Sequence, residues 1–258
     1  MVILNQSDFD NVKNGIVFNE IASPTFSFSV LEGYIDGTVY ADSKVPETVL
    51  IETNSGIYYI VGETNNDDFN DFLFDLYRQR KKENLRFTLF SSTENWDTVI
   101  KLNLKNEVKH MSRFSFIYEH NQEATIKDLP SNEYSISEIT KEVILNSVEF
   151  NDEYYKEYWG SSSNFIEKGF GYCILHNGKV VSECTSIFSS QKYAEIDIAT
   201  HKDYRGKGLA SIVAKTFIEH SLKNHIIPSW DCDVSNKSSI KLAGKLGFGH
   251  PKRYSVFV

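Results

Sequence analysis

The spacing of hydrophobic and polar residues divides the chain into two successive α/β patterns. In the first half, runs rich in β-branched and aromatic residues predict strands over residues 25–30, 38–40 and 57–61. Apolar residues three and four positions apart predict a helix over residues 66–82. The same reasoning gives three further elements: a strand over 86–90, a helix over 94–104 and a strand over 114–118.

The second half repeats this pattern. An Asn177-Gly178 pair between two apolar runs predicts a tight hairpin that joins strands 172–175 and 180–188. The other predicted strands cover 134–139, 193–200, 227–234 and 254–258, and the predicted helices cover 141–148, 152–168, 207–224 and 236–246. Each half therefore reads strand–strand–strand–helix–strand–helix–strand, which indicates either an old duplication or the general similarity of any two α/β units.

We predict a mixed α/β fold of two domains. Residues 1–122 form an N-terminal α/β domain of unknown role, and residues 123–258 form a mixed sheet flanked by helices. The polar stretch His120-Asn121-Gln122-Glu123 marks the boundary. Because a domain averages roughly 150 residues, one large domain is compatible with the length of 258 residues as well.

Composition and charge narrow the class of protein. Hydrophobic residues make up 41% of the chain and charged residues 24%, as in soluble globular proteins, and no apolar run approaches the ~20 residues of a membrane span. The first residues lack the basic and apolar regions of a signal peptide, and the three cysteines form no CxxC pair. These features predict a cytoplasmic protein with no membrane segment, and they leave monomer and homodimer open.

The charge is unevenly distributed. The net charge of −8 argues against a protein that holds nucleic acid by neutralising phosphates. From His201 onward, however, ten lysines and arginines stand against four acidic residues. This basic C-terminal quarter is either chance or the footprint of a small anionic ligand.

A glycine-rich turn at the start of the helix over 207–224 carries the main chemical signal. Gly206 and Gly208 lack a Cβ, so a ligand oxygen can approach the backbone amides closely, and Arg205 and Lys207 add positive charge. This combination predicts a cradle for a phosphate or pyrophosphate, although a plain turn with two solvated cations is the alternative. The spacing does not match a Walker A loop and only loosely matches a dinucleotide fingerprint.

The turn resembles a known family. Arg205-Gly206-Lys207-Gly208-Leu209-Ala210 matches the Arg/Gln-x-x-Gly-x-Gly/Ala signature of the GNAT superfamily of acyl-CoA N-acyltransferases. A second family pattern, Asn-x-x-Ala-x-x-Leu-Tyr-x-x-Leu-Gly-Phe, is similar to the residues at Asn236, Ser239, Leu242, Ala243, Leu246, Gly247 and Phe248. The segment from Ile196 to Ala210 further resembles the branch related to zwittermicin A resistance acetyltransferases.

The resemblance implies acetyl-CoA as acyl donor and assigns residues to it. The backbone of Ile198, Ala199 and Thr200 would pair with the pantetheine arm. The other residues that the resemblance assigns to the donor are Arg205, Gly206, Lys207, Gly208, Leu209, Ala210, Asn236 and Ser239. The family's usual general acid, a tyrosine, is replaced by Ala243, so that the proton source is either Ser239, Asn236, Tyr254 or none at all.

Acyl transfer to an amine also requires a base, because the attacking amine must be neutral. Glu195 and Asp197 alternate on one face of the predicted strand 193–200, and Glu183 on the preceding strand could lie across from them. Any of the three is a candidate base, and each is equally compatible with a solvent-facing carboxylate. The backbone amide near Ala199 is the predicted donor to the developing oxyanion.

Other reactive side chains fit structural roles better. Cys173, Cys184 and Cys232 are predicted to be small buried residues, and no spacing of histidines and cysteines predicts a metal site. The aromatic cluster over residues 154–159 is either core or the wall of an acceptor pocket.

The sequence therefore predicts an N-acetyltransferase that passes an acetyl group from acetyl-CoA to a primary amine of a small cationic molecule, such as an antibiotic or a polyamine, by direct attack in a ternary complex. Two alternatives remain open: a non-catalytic acyl-CoA-binding regulatory module and a nucleotide-dependent oxidoreductase.

Overall fold

The computed structural model describes residues 1–15, 23–119 and 128–258. They divide into two units, one formed by Met1–Ser115 with Lys252–Val258 and the other by Phe116–Pro251. The predicted boundary at residues 120–123 lies outside the described residues. The prediction placed the last seven residues in the second domain, whereas the structure assigns them to the first unit.

The first unit is a mixed sheet covered by helices. Its strands are β1 (Val2–Ile3), β2 (Gly37–Ala41), β3 (Thr48–Thr53), β4 (Ile57–Gly62), β5 (Thr88–Ser91) and β6 (His110–Tyr118), and its helices are α1 (Phe9–Gly15), α2 (Thr25–Leu31), α3 (Asp67–Lys82) and α4 (Glu94–Leu104). Strands β2, β3 and β4 pair antiparallel, and β4 pairs with β5 in parallel across α3. Aromatic and aliphatic side chains of α3 and α4, among them Phe69 and Trp96, pack on this sheet to form the core.

The second unit has the same succession. Its strands are β7 (Tyr134–Glu138), β8 (Gly171–His176), β9 (Lys179–Ser189), β10 (Tyr193–Thr200), β11 (Ile227–Asp233) and β12 (Phe248–Phe257), and its helices are α5 (Lys141–Asn146), α6 (Asp152–Trp159), α7 (Ser162–Lys168), α8 (Leu209–Lys223) and α9 (Lys237–Lys245). Strands β7 to β10 pair antiparallel, and β10 pairs with β11 in parallel across α8. Each unit therefore has a run of antiparallel strands, and the last strand of that run pairs in parallel with the strand that follows the next helix.

Strands β6 and β12 contribute to both units. The first residues of β6 and the last residues of β12 belong to the first unit, and the remaining residues of each strand belong to the second. In the first unit, Val256 and Phe257 pair antiparallel with Phe90 and Leu89 of β5.

The structure corrects three local predictions. Residues 25–30, predicted as a strand, lie in helix α2, all of whose residues are buried. Because α2 is buried on all sides, the alternation of phenylalanine and serine does not separate a buried face from an exposed one, as it would in a strand at the surface. The Ser29 hydroxyl instead donates to the carbonyl of Thr25, one helical turn earlier. Strand β3 was not predicted, and the single helix predicted over 152–168 is two helices, because Gly160 ends α6 at a φ of +76°.

No helix among the described residues is long and apolar enough to cross a membrane.

Candidate functional site

The site begins where the two central strands of the second unit stop pairing. Residues Tyr193–Glu195 of β10 pair with β11 in parallel, whereas the antiparallel pairing with β9 continues as far as Thr200, opposite Ser182. The ladder between β9 and β10 shifts register after Glu195. In the described part of the chain, residues 198–200 of β10 have a strand partner on the β9 side alone, so that their other edge is open.

The direction of the backbone groups decides which amides this open edge presents. His201 donates its amide to the carbonyl of Val181 on β9 at 3.0 Å. Amide direction alternates along a strand, so Ala199 also turns toward β9, while Ile198 and Thr200 turn toward the open edge. The amide of Ile198 contacts the carboxylate of Asp197 at 2.9 Å. The open edge therefore presents the amide of Thr200 rather than that of Ala199, and the oxyanion donor expected near Ala199 stays a prediction.

The turn after β10 is held open by two glycines. Gly206 and Gly208 have φ values of +79° and +83°, and a Cβ added at either position would meet nothing within 4 Å. No described residue accepts a hydrogen bond from the amides of Gly206, Lys207 or Gly208. These amides precede the first turn of α8, whose own leading N–H groups carry the positive end of the helix dipole.

Side chains hold the turn in this shape. Arg205 donates from Nε to the carbonyl of Thr200 at 3.1 Å. The hydroxyl of Tyr204 lies 2.9 Å from Nδ1 of His176, and the Lys207 ammonium lies 4.7 Å from the centre of the Tyr204 ring. The exposed turn therefore carries positive charge on a braced backbone.

The three predicted carboxylates lie on the face of the sheet opposite to the one that α8 covers. Along β10, Glu195 and Asp197 share one face, and Glu183 of β9 lies directly across from Ala199 on that same face. Tyr155 lies near both Glu183 and Asp197. Burial raises the pKa of its phenol, and the two carboxylates raise it further. The structure thus brings Glu183 and Asp197 to one place, as the sequence predicted.

Asp197 and Glu183 have different environments. Asp197 is half-buried and its two carboxylate oxygens are both engaged, one by the amide of Ile198 and the other by the hydroxyl of Tyr154 at 2.8 Å. Glu183 is buried and accepts from Ser147 Oγ at 2.7 Å through one oxygen, while its second oxygen, also buried, has no hydrogen-bond partner among the described residues. The pKa of Glu183 is raised from 4.5 to about 7, chiefly by burial and further by nearby Glu149, against the lowering effects of the Ser147 hydroxyl and the Phe150 backbone.

Helix α6 separates the aromatic cluster into two roles. Tyr155 and Trp159 are fully buried core residues, and their polar atoms bond to Thr185 and to the carbonyl of Ser186. Tyr154 and Tyr158 are half-buried and stack in a tilted pair with their ring centres 5.0 Å apart. Tyr155 and Trp159 are therefore core, whereas for Tyr154 and Tyr158, on the adjacent face of the helix, the wall of an acceptor pocket stays a prediction.

Asn236 and Ser239 take part in local bonds. The Asn236 side chain caps α9 by accepting from the amide of Ser239 at 3.1 Å, and Ser239 Oγ accepts from the Trp230 indole at 3.0 Å. Ala243 is fully buried, and Tyr254 belongs to the first unit, where its hydroxyl accepts from Arg113.

The cysteines are buried as predicted. Burial raises the pKa of the Cys173 thiol to about 12. Among the residues that the structure describes, no group of three or more His, Cys, Asp or Glu side chains could hold a metal ion.

Sequence reasoning missed Ser147 and the bond from Tyr154 to Asp197. Ser147 follows the end of α5 and reaches Glu183 across 36 residues, and Tyr154 reaches Asp197 across 43. No local pattern signals either contact, since both arise from the packing of α5 and α6 on the sheet.

The open strand edge followed by a glycine turn and a helix defines a class of acyltransferases. A family model described as GNAT acetyltransferase matches residues 16–257, and the chain belongs to that family. The protein is therefore an acyltransferase enzyme of a family that uses acetyl-CoA or another acyl-CoA. The narrower resemblance to the zwittermicin A resistance branch stays a prediction.

Individual relatives agree with this class. The chain is 44% identical over 255 residues to the uncharacterised N-acetyltransferase YdfB of Bacillus subtilis (strain 168), covering 98% of this chain and 97% of that protein. A GCN5-related N-acetyltransferase-like protein from Streptococcus suis 89/1591 has a similar crystal structure, with a TM-score of 0.70 and 24% identity over 97% of this chain and 98% of that one.

The fold is also similar to that of a tandem GNAT protein from the clavulanic acid biosynthesis pathway. Its TM-score is 0.64 at 13% identity, over 99% of this chain and 96% of that chain. From the second strand onward, the two units of the present chain have the same element order, three strands, a helix, a strand, a helix and a strand, as a tandem arrangement of one fold would.

Proposed function

We propose that this enzyme transfers an acetyl group from acetyl-CoA to the primary amine of a small cationic molecule by direct attack in a ternary complex. The observation that carries the proposal is the open edge of β10, which leads through a short 3-10 helix (Lys202–Tyr204) into a glycine turn whose amides have no acceptor among the described residues. An extended chain can pair with such an edge, and an anion at its end would meet the amides of the turn.

The residues of the turn fit the diphosphate of acetyl-CoA. The open space at Gly206 and Gly208 admits phosphate oxygens close to the backbone, and Arg205 and Lys207 supply charge beside it. Leu209 and Ala210 add the leading amides of α8. The backbone of Ile198 and Thr200 would hold the pantetheine arm, with Ala199 between them.

Asn236 and Ser239 would lie at the edge of the donor site. Their side chains already hold the first turn of α9 in place, and their hydroxyl and amide groups retain further donor capacity. Their contribution to donor binding would therefore be smaller than that of the glycine turn.

Acetyl-CoA, when bound, supplies an acyl group activated as a thioester. The chain's own contribution is to orient this group, to accept a proton from the amine and to stabilise developing negative charge. An amide of β10 near Ala199 would serve the last role. A thiolate whose conjugate acid has a pKa near ~8.5 leaves readily, so that Ala243 in place of a tyrosine does not prevent the transfer.

Glu183 is the best candidate for the general base. Its pKa of about 7, set mainly by burial, suits proton transfer near neutral pH, and one of its oxygens has no hydrogen-bond partner among the residues that the structure describes. Asp197 is a poorer candidate, because both of its carboxylate oxygens already accept hydrogen bonds, one from Tyr154 and one from the amide of Ile198.

Asp197 and Glu195 suit the binding of the acceptor instead. They place negative charge on the sheet face next to the half-buried rings of Tyr154 and Tyr158. Carboxylates and aromatic faces together favour an organic cation. This supports a cationic amine, such as a polyamine or a cationic antibiotic, as the acceptor class.

The donor site is tested by the Gly208→Glu variant, measured by calorimetric titration with acetyl-CoA. The new side chain would place bulk and negative charge at the diphosphate position, and we expect affinity to fall by about 100-fold or more. Gly178→Glu is the matched control, since Gly178 also has a positive φ of +77° and open space around it, but lies in the hairpin between β8 and β9. Unchanged affinity in Gly208→Glu, or equal loss in both variants, would reject the assignment.

The acceptor class is tested separately by a panel of amines with release of the free CoA thiol as readout. Polyamines and cationic antibiotics should be turned over faster than neutral amines of equal size. Equal rates for cationic and neutral amines would reject the acceptor class while leaving the donor site intact.

A further inference from the structure

A cavity of about 480 Å³ lies wholly within the first unit. Its lining includes Tyr254, one of the proton sources considered from the sequence, and none of the residues proposed above to bind the donor, accept the proton or bind the amine. Its walls come from the end of β5, the first turn of α4, the middle of β6 and residues 252–255 of β12. Small-molecule sites in proteins have volumes of roughly 300–1,000 Å³, so a small metabolite would fit. We call it the α4 cavity.

Charges in the α4 cavity are separated by element. The acidic residues, Glu94 and Asp97, come from α4, and the basic residues, Lys252 and Arg253, come from β12. In the described part of the chain, the side chains of Glu94, Lys252 and Arg253 have neither a hydrogen bond nor an ion pair within the protein. Three charges of both signs are therefore available to a ligand.

The carboxylate of Asp97 is already paired within the protein and is not available to a ligand. Its two oxygens accept from the hydroxyls of Ser91 and Ser255, and the Lys101 ammonium lies 3.9 Å away. Its role is to fix the floor of the cavity by holding β5 and β12 on the helix.

The remaining lining is rich in hydroxyl groups. Among the residues that the structure describes, Ser92 Oγ has no hydrogen-bond partner although it is buried, which is costly in a folded protein and points to a partner supplied by a ligand or by solvent. Ser112 adds a second hydroxyl. Burial lowers the pKa of His110, with Lys101 acting in the same direction, so this imidazole adds no charge at neutral pH.

We propose that the α4 cavity binds a small zwitterion of amino-acid size with a polar side chain. The carboxylate would contact Lys252 and Arg253, the ammonium would contact Glu94, and the side chain would bond to the serine hydroxyls. A simple anion would meet the carboxylates of α4, and a neutral sugar would leave three charges without partners, so that neither complements the cavity as well. This site is independent of the proposed acceptor.

The proposal is tested on the full chain by calorimetric titration with L-serine, L-threonine, L-asparagine and L-glutamine. Each is compared with its N-acetyl derivative, which lacks the ammonium, and with its carboxamide, which lacks the carboxylate. We expect at least one free amino acid to bind, and both of its derivatives to bind about tenfold more weakly.

Two variants assign the charges. In Glu94→Gln the free amino acid should no longer bind more tightly than its N-acetyl derivative. In Arg253→Gln the advantage of the free amino acid over its carboxamide should become smaller. Asp67→Asn is the matched control for Glu94, since Asp67 is an exposed acid in the first turn of α3. It should bind as the wild type does, and thermal melting checks that every variant is folded.

Three outcomes would overturn the proposal. One is no binding of any of the four amino acids up to about 10 mM. Another is equal binding of the derivatives, or binding that Glu94→Gln and Arg253→Gln leave unchanged. The third is equal or tighter binding of glucose or of inorganic phosphate, which would assign the cavity to a neutral polyol or to an anion.

Discussion

At the scale of single residues, burial gives two neighbouring carboxylates opposite properties. Glu183 is buried and accepts from the Ser147 hydroxyl, whereas Asp197 is half-buried and accepts from the Tyr154 hydroxyl and from the amide of Ile198. Desolvation disfavours the charged form of Glu183 and raises its pKa. One position is thereby suited to accept a proton near neutral pH and the other to attract a cation.

The first prediction concerns Glu183 and the pH dependence of stability. Because folding raises its pKa from 4.5 to about 7, the folded state binds the proton more tightly than the unfolded chain. The free energy of unfolding should therefore fall by about 3 kcal/mol as pH rises through this interval. Glu183→Gln should lack this loss, as measured by urea unfolding at pH 5 and pH 8.

The same variant bears on catalysis. If Glu183 is the base, kcat/KM of the wild type decreases as pH falls below about 7, and Glu183→Gln is slow at every pH. Glu142→Gln, an exposed change on α5, should follow the wild type in both measurements. Identical pH dependence of stability in Glu183→Gln and the wild type would contradict the raised pKa of Glu183. Full activity of Glu183→Gln would show that Glu183 is not the general base.

At the scale of elements, the start of helix α6 is stabilised by the N-cap residue that precedes it. The Asn151 side chain accepts from the amides of Glu153 and Tyr154 at 3.1 and 3.2 Å, which satisfies two of the leading N–H groups. The helix then places Tyr155 in the core and Tyr154 against Asp197. The cap therefore connects a local hydrogen-bond requirement to the wall of the proposed acceptor site.

Asn151→Ala should lower the free energy of unfolding by about 1 kcal/mol, because both amides lose their acceptor. KM for the amine should rise more than KM for acetyl-CoA, since Tyr154 is on this helix and the glycine turn is not. Asn151→Asp keeps a capping oxygen and should behave nearly as the wild type. A loss of stability as large in Asn151→Asp as in Asn151→Ala would show that the cap is not the cause.

At the scale of the whole molecule, the chain returns at its end to the unit in which it began. Val256 and Phe257 complete the sheet beside β5, and the Phe257 ring is fully buried in the core formed by α3, α4 and their strands. The first unit is therefore complete only when the last residues are in place. The repeated succession of elements in the two units supports an ancient duplication, which we propose as the origin of the chain.

Phe257→Ala should destabilise the first unit by about 3–5 kcal/mol, as expected when a buried aromatic ring is truncated. Hydrogen exchange of the amides of α3 and α4 should accelerate accordingly. Val258→Ala, at a more exposed position next to it, should change exchange little. Slow exchange of α3 and α4 in Phe257→Ala would show that the end of the chain is not needed to complete this unit.

Local chemistry determined much of this molecule from the sequence. The periodicity of residues 94–104 and 193–200 predicted α4 and β10 with the bounds that the structure shows, and Asn177-Gly178 predicted the hairpin, where both residues have positive φ values. The glycine turn was recognisable because a positive φ and a free approach to the backbone both require glycine. Such features depend on neighbours in sequence, which the sequence displays directly.

Only the tertiary structure decided the features that depend on distant neighbours. Helix α2 reads as a strand because its burial on all sides removes the helical period. The sequence left three candidate bases, and our proposal of Glu183 among them rests on its burial under distant parts of the chain, which raises its pKa against the hydrogen bond from Ser147. The direction of the Thr200 amide depends on the register with β9. Burial, register and the assignment of the last strand are properties of contacts across the chain, and a linear pattern carries no record of them.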